Sequence, residues 1–544
     1  MKKLLALILA AMMLIGMLST LAVAEEPVEI TYFRRELNRN SIAYYNDAAW
    51  VKELENRLNI KLKVMGPPSG EDYNTAVNLL LVSGEYPDLL FYNWNNYNGG
   101  YEAAIEDGII YPFGRYEEDL AKVPNWVAAI ESNDMIRRAV TQEDGSIVSF
   151  CHVESNIARS AYWGYAIRKD WLDRLGLEVP ETIDDLYTVL KAFKEQDANG
   201  NGDPNDEIPF TSCNWWGSAH PGLDTVGAAF SVKPNTMYRD PQNDKITYWT
   251  EYNDGKNFKD YVLTMRKWYE EGLLDEEYLS QNHDSMAAKI TGDKAGMFFS
   301  FPDDVAGYKS SLEVTLANGG YADPAGVQVY GMVPLKGIDG VPYTADYDNA
   351  MKSYAAFGEP TVITMTAVEN GKKDKCLELM NYLYSQEGSD LMCWGVEGVS
   401  YTVDENGKKQ WTELVTNDPE YGMGDAVFKY AMPTLGSWPH WMSYEAWGSM
   451  NLTTEDSTIL HQNYAKGDAG LVLPAGIAMT TEESEVYNMV MTEVNTAVGE
   501  VYHNVITGIR PVEDLDKVLE QVETMGIHDA IDAYQAAYER YLAK

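Results

Sequence analysis

Between Val28 and Phe91 the hydrophobic period switches repeatedly between two and about 3.6, and that alternation restricts the fold more than any other feature of the chain. Val28-Glu29-Ile30-Thr31-Tyr32-Phe33 alternates and is rich in β-branched and aromatic residues, which predicts a strand. Trp50, Val51, Leu54 and Leu58 then recur at helical spacing, and Ile60-Lys61-Leu62-Lys63-Val64 alternates again. Ala76, Val77, Leu80 and Leu81 share one side of a second helix that Gly84 and Pro87 end, before the apolar strand Leu89-Leu90-Phe91. Strands joined by crossover helices build an α/β sheet, whose ligands bind where loops leave the carboxyl ends of the strands. The loop Tyr92 to Asn98 occupies such a place and is rich in aromatics and amides, so Asn93 and Trp94 are candidate ligand contacts.

With 544 residues, 45% of them hydrophobic, the chain is long enough for two large domains. Lys plus Arg number 42 and Asp plus Glu 83, so the formal charge is 42 − 83 = −41, which repels phosphate backbones and argues against nucleic acid. Residues 1–24 read as a secretory signal peptide: Lys2 and Lys3, an apolar run from Leu4 to Leu21, and a small-x-small site at Ala22-Val23-Ala24. The first cysteine is Cys151, so the acylated cysteine of a lipoprotein is missing near the leader, and an exported, periplasmic or extracellular protein is expected. Cys151, Cys213, Cys376 and Cys393 form no CxxC pair, which disfavours zinc; buried thiols are expected, or at most one bridge between Cys376 and Cys393.

Further along, Ala166-Ile167-Arg168 reads as a strand end, and Thr182 with Asp185 as the cap of a helix from Ile183 to Lys194. Helices are expected over Lys256–Glu271, Lys373–Gln386, Glu482–Val505 and Asp529–Leu542, the last two joined by turns between Gly508 and Gly526. Strands are expected at Ala295–Phe299 and Thr361–Met365.

Two patterns carry chemistry. In the loop 197–208, Asp197, Asn199 and Asn201 stand at positions one, three and five of an EF-hand-like loop, with Gly202 at the sharp turn and Asp203 offering its carbonyl. Position twelve is Ile208, so Asp206 or Glu207 must close a structural Ca2+ site. Second, Trp94, Trp163, Trp215, Trp216, Trp438 and Trp441 lie in polar, turn-rich stretches. Flat apolar faces among amides and carboxylates suit sugar rings, and Phe301, Asp303 and Asp304 form a further candidate ligand-binding loop. Signatures of catalysis are missing: there is no GxSxG, HExxH or phosphate-cradling glycine loop.

The chain resembles the extracellular solute-binding proteins of ABC transporters, in the carbohydrate-type branch that includes the alginate oligosaccharide-binding proteins. The segments carrying the likeness are IRKDWLDRLGLEVPETIDDLYTVLKAF with DANGNGDPNDEIP, SGEYPDLL, KAGMFF, EGSDLMCWGVEGVSYTVDENGK, and VITGIRPVEDLDKVLEQVETMGIHDAIDAYQAAYERY. The resemblance implies a two-lobed periplasmic-binding-protein-like α/β fold of type II with a multi-crossing hinge. One lobe would take 25–155 and 332–398, the other 156–331 and 399–544. It also implies a monomer that binds a sugar or oligosaccharide without chemistry and delivers it to permease subunits. The calcium loop of the alginate-binding relatives matches Asp197, Asn199, Asn201, Asp203, Asp206 and Glu207, with one extra residue before the last two.

A secreted carbohydrate-active enzyme is the competing reading, since carboxylate pairs abound in so acidic a chain. A sensor subunit that reports ligand occupancy to a membrane kinase is a third. Only Arg34, Arg35 and Arg168 fall near strand ends, which favours neutral over acidic oligosaccharides.

Overall fold

The computed structural model describes residues 26–35, 42–67, 72–142, 144–154, 163–213, 221–319, 326–344, 360–432, 438–474 and 476–544; the leader, Trp215 and Trp216 lie outside the described residues. The alternation that opens the chain becomes β1 (Val28–Phe33), β2 (Ile60–Met65) and β3 (Leu89–Phe91), parallel and in the order β2-β1-β3. Register runs from Val28 opposite Ile60 to Phe33 opposite Met65, so Ile30, Tyr32, Leu62 and Val64 turn to the core. The helix Ala49–Leu58 crosses between the first two strands and buries Trp50, Val51, Leu54 and Leu58.

Along the rest of the chain come β4 (Val153–Glu154), β5 (Gly164–Arg168), β6 (Ile208–Phe210), the hairpin β7 (Met237–Arg239) and β8 (Ile246–Tyr248), β9 (Ala295–Ser300) and β10 (Val329–Gly331). There follow β11 (Thr361–Ile363), the hairpin β12 (Tyr401–Val403) and β13 (Lys409–Trp411), and β14 (Trp441–Met442). The second large sheet has the order β10-β5-β9-β6, with β6 parallel to β9 and β5 antiparallel to both of its neighbours. The first sheet is completed by β11, antiparallel to β3.

Two large hydrophobic cores result. Residues from Ile30 to Val153, Val362 to Met392, Met432 and Trp438 fill one; residues from Trp163 to Tyr343 and Leu460 to Tyr541 fill the other. The chain passes between them after Val153, after Tyr343 and after Trp438, and each large sheet contains one antiparallel strand laid down just after such a passage. β4 and β14 pair in parallel at two of the crossings. The cores shift the expected boundaries. Met332, Leu335 and Tyr343 pack in the second core because the chain continues from β10 along β5, Met332 N donating to Tyr165 O at 2.8 Å. Trp438 packs in the first, edge-on to Tyr32 of β1 with ring centroids 5.0 Å apart.

Several expected elements change in detail. The helix at Ile183–Glu195 has the capping box read from sequence: Asp185 N donates to Thr182 Oγ1 at 3.2 Å, and Thr182 N to Asp185 Oδ2 at 3.1 Å. Such a cap contributes about 1 kcal/mol. The stretch Lys373–Gln386 is instead two helices, Lys373–Leu383 and Gln386–Trp394, because Ser385 caps a new start by accepting from Gly388 N. Between the last two expected helices, Thr481–Ile506 and Ile527–Ala543, the turn-rich stretch holds a third, Asp514–Thr524, which buries Leu515, Val518 and Val522 on one face. Phe301 to Asp304 is not a loop but the entry to an 18-residue helix, Pro302–Gly319. Proline at the first helical position costs nothing, since that amide has no partner in the helix anyway. All four cysteines are buried thiols outside any disulfide.

Candidate functional site

Register places one pair of the candidate residues. β5 and β9 run antiparallel with Gly164 opposite Ser300, so Trp163, just before one strand, meets Phe301, just after the other. Their rings stack, centroids 4.9 Å apart and planes 15° from parallel, with Phe299 beneath Trp163 at 5.7 Å. Trp163 is 7% exposed and Phe301 half-buried. Gly164 is required beside this pair, because a β-carbon there would lie 2.5 Å from the Tyr464 ring. Asp304 faces His283, with Oδ2 3.5 Å from Nε2, and this contact raises the His283 pKa against the opposing effect of burial. The Asp303 side chain lies outside the described residues.

On the first sheet, Arg34 follows β1 and is fully buried, its guanidinium carbon 4.4 Å from the centroid of Trp438 and 4.9 Å from that of Tyr45. Trp438 also meets Trp50 edge-on at 5.0 Å, which leaves none of its surface to solvent. Trp94 is likewise buried, packed against Tyr92, Tyr97 and Tyr101 at 5.3, 6.0 and 6.3 Å. Polar neighbours in sequence made both positions candidate ligand contacts; tertiary packing turns the indoles inward. Asn93 is half-buried, and Trp441 of β14 is partly exposed, its carbonyl accepting from Ser389 Oγ at 2.6 Å.

What the Trp94 loop presents to a cavity is its tyrosines. Tyr97 and Tyr101 line a crevice of about 960 Å³ together with Tyr487, Asn488 and Glu485 of the Thr481–Ile506 helix and Tyr541 of the last helix. One side belongs to the first core and the other to the second. Tyr97 and Tyr101 stand in or beside the aromatic loop read from sequence, whereas Tyr487 and Tyr541 sit in ordinary helical patterns that carry no such signal. Arg168, a candidate for acidic sugars, is occupied: both its Nε and Nη2 donate to Asp170, at 2.9 and 2.6 Å, and Nη1 donates to Asp293.

The 197–208 loop curls as its spacing suggests. Gly202 N donates to Asp197 Oδ2 at 2.9 Å, Asn201 N to Asn199 Oδ1 at 2.9 Å, and Asp203 N to Asn201 Oδ1 at 2.7 Å. Asp206 accepts from the Asn199 and Asn201 side-chain amides at 3.2 and 3.0 Å. Glu207 is 3% exposed; Oε1 accepts from Ala198 N at 2.9 Å while Oε2 is buried with no donor, as is Asp197 Oδ1. Burial, with the Asp206 charge adding to it, pushes the Glu207 carboxyl above its ordinary pKa. Two buried carboxylate oxygens lacking donors in an oxygen-rich turn fit a hard cation.

No family model matches the chain. The fructooligosaccharide ABC transporter substrate-binding protein FusA of Streptococcus pneumoniae is 32% identical over 258 residues, which spans 45% of each protein, so the match covers less than half of that relative. A solved structure of FusA with kestose superposes with a TM-score of 0.67 over 95% of this chain and 99% of FusA, and another FusA structure is described as an EF-hand mutant. An HMO-binding, ABC-transporter-associated solute-binding protein of Bifidobacterium longum infantis matches at 0.72 with 19% identity, covering 95% of this chain and 99% of its own. The alginate-binding protein AlgQ2, solved without calcium ion, matches at 0.63 with 22% identity over 95% and 99%. At such identities the structural likeness is one of fold. The chain has the two-lobed α/β fold of these proteins, and its homologues and structural neighbours are carbohydrate solute-binding proteins of ABC transporters, not enzymes.

Proposed function

We propose that the protein is an extracytoplasmic solute-binding protein, acting as a monomer, that holds an oligosaccharide between its lobes and hands it unchanged to the permease subunits of an ABC importer. The observation that carries this reading is the Trp163–Phe301 stack at the carboxyl end of β9, an aromatic face of the kind sugar rings pack against. The tyrosine-lined crevice, with walls from both cores, is a second place where a glycan chain would fit. In this reading Asn93, Asp304 and Trp441 supply polar groups and a further ring, while the buried Trp94 and Trp438 serve as packing within the first lobe. One lobe comprises about 26–154 with 360–392, and the other about 163–344 with 460–544, a division that follows the two cores.

Neutral oligosaccharides are the favoured class, because the Arg168 guanidinium is committed to Asp170 and Asp293. Ca2+ is the structural cofactor, held by Asp197, Asn199, Asn201 and the Asp203 carbonyl and closed by Glu207, whose buried Oε2 lacks a donor where both Asp206 oxygens are engaged. The leader-like residues 1–24 support export from the cytoplasm. Among the described residues no helix is long and apolar enough to cross a membrane.

Calorimetry with neutral oligosaccharides and with uronate oligomers, followed by chromatography of the recovered sugar, tests this reading. Binding of neutral oligomers with unchanged ligand is expected, weakened at least tenfold by Trp163→Ala or Phe301→Ala. Shortened products would make the protein an enzyme, and binding of uronates alone would overturn the neutral preference.

A further inference from the structure

We propose that Glu251, Glu523 and His528 form a second metal site, for a divalent transition-metal ion of the zinc class, separate from the 197–208 loop. One ligand atom from each lies within 4.8 Å of those of the other two. The three residues come from three segments: Glu251 from the turn after β8, Glu523 from the last turn of the Asp514–Thr524 helix, and His528 from the first turn of the Ile527–Ala543 helix. Gly526, at φ +86°, makes the sharp corner between these helices and brings Glu523 and His528 together. His528 Nε2 stands 3.1 Å from Glu523 Oε2 and 3.7 Å from Glu251 Oε2.

The site has a fixed floor and an open mouth. The Glu251 side chain is 13% exposed, and Thr250 Oγ1 donates to its Oε1 at 2.7 Å, which leaves Oε2 directed at the imidazole. Glu523 and His528 are 53% and 62% exposed, so an ion can enter without any rearrangement of the core.

Electrostatics supplies a second, separate argument. Two carboxylates converge here and, among the described residues, neither forms an ion pair with a lysine or arginine. A cation between the two carboxylates relieves their mutual repulsion. Two carboxylate oxygens and one imidazole nitrogen, with a fourth position left for water, form a donor set that suits zinc; calcium and magnesium prefer oxygen alone. Bound there, the ion would tie the β7–β8 segment to the corner of the two C-terminal helices.

The test is titration of the full chain, stripped with chelator and then held in excess Ca2+ to fill the 197–208 loop, with ZnCl2 followed by calorimetry. One zinc per chain is expected, with affinity lowered at least tenfold in His528→Ala and in Glu523→Gln and unchanged in Asp197→Ala. His528→Ala and Glu523→Gln alter exposed side chains, so circular dichroism should confirm that both variants fold. Zinc bound with equal affinity by His528→Ala, no stoichiometric binding to the parent, or loss of binding in Asp197→Ala would each overturn the proposal.

Discussion

Replacing Asp293 with alanine should destabilise the second lobe by about 3 to 5 kcal/mol, the range for breaking a buried ion pair from one side. Arg168 is 1% exposed, and the Asp293 side chain 6%, so the guanidinium left behind cannot recover its lost acceptor from water. Asp170 stays in place and still binds two of the guanidinium nitrogens, which pulls the cost toward the lower end. Against that, Asp293 has φ +61°, a left-handed conformation that costs alanine about 1 kcal/mol more than aspartate or asparagine. Asp293→Asn keeps an acceptor and tolerates the backbone, so it should lose well under half as much. Urea unfolding followed by tryptophan fluorescence reads the effect locally, because the Arg168 guanidinium lies 4.9 Å from the centroid of the Trp171 ring. With a slope of about 3 kcal/mol/M or somewhat more for a lobe this large, the alanine variant's midpoint should fall by roughly 1 M. Equal midpoints for Asp293→Ala and Asp293→Asn, or a shift in the alanine variant worth less than about 0.5 kcal/mol, would refute the reasoning.

Calcium at a hundredfold excess over its Kd should stabilise the loop-bearing lobe by about 2.7 kcal/mol, seen in calorimetry as a higher Tm that chelator removes and Asp197→Ala abolishes. An unaltered Tm on adding chelator to the calcium-loaded chain would count against the site. For His283 the sign follows from its raised pKa: the pairing with Asp304 is fully present below the ordinary imidazole value of about 6.5 and fades as pH rises through the higher folded value. NMR titration should place His283 above that ordinary value and Asp304→Asn should bring it down; no change in the variant would show that Asp304 is not the cause.

What the sequence revealed was what local chemistry decides. The capping pair Thr182 and Asp185, the buried face of Ala49–Leu58 and the oxygen spacing from Asp197 to Asn201 are all set by residues within a turn or two of one another. Pro302 illustrates a signal that was present but outweighed: it starts a helix, yet beside two aspartates and two aromatics it read as a loop. Trp94 and Trp438 lay beyond local reach, because the direction an indole turns depends on partners such as Tyr101 and Arg34. Trp163 and Phe301 were each visible as aromatics, but their stacking is a property of the β5–β9 register.

The antiparallel strands β5 and β11, laid down after two of the passages between the cores, also set the order in which this protein can be made. Tyr32 of β1 reaches Thr361 of β11 with an O···O distance of 2.5 Å, across 329 residues of chain. The first lobe cannot complete its sheet until the polypeptide emerges well past its midpoint, and contacts of such span are slow to form. A nascent N-terminal half is left with the exposed edge of β3, so folding of this lobe is deferred until β11 is available. That delay makes a truncated first lobe a poor candidate for independent expression.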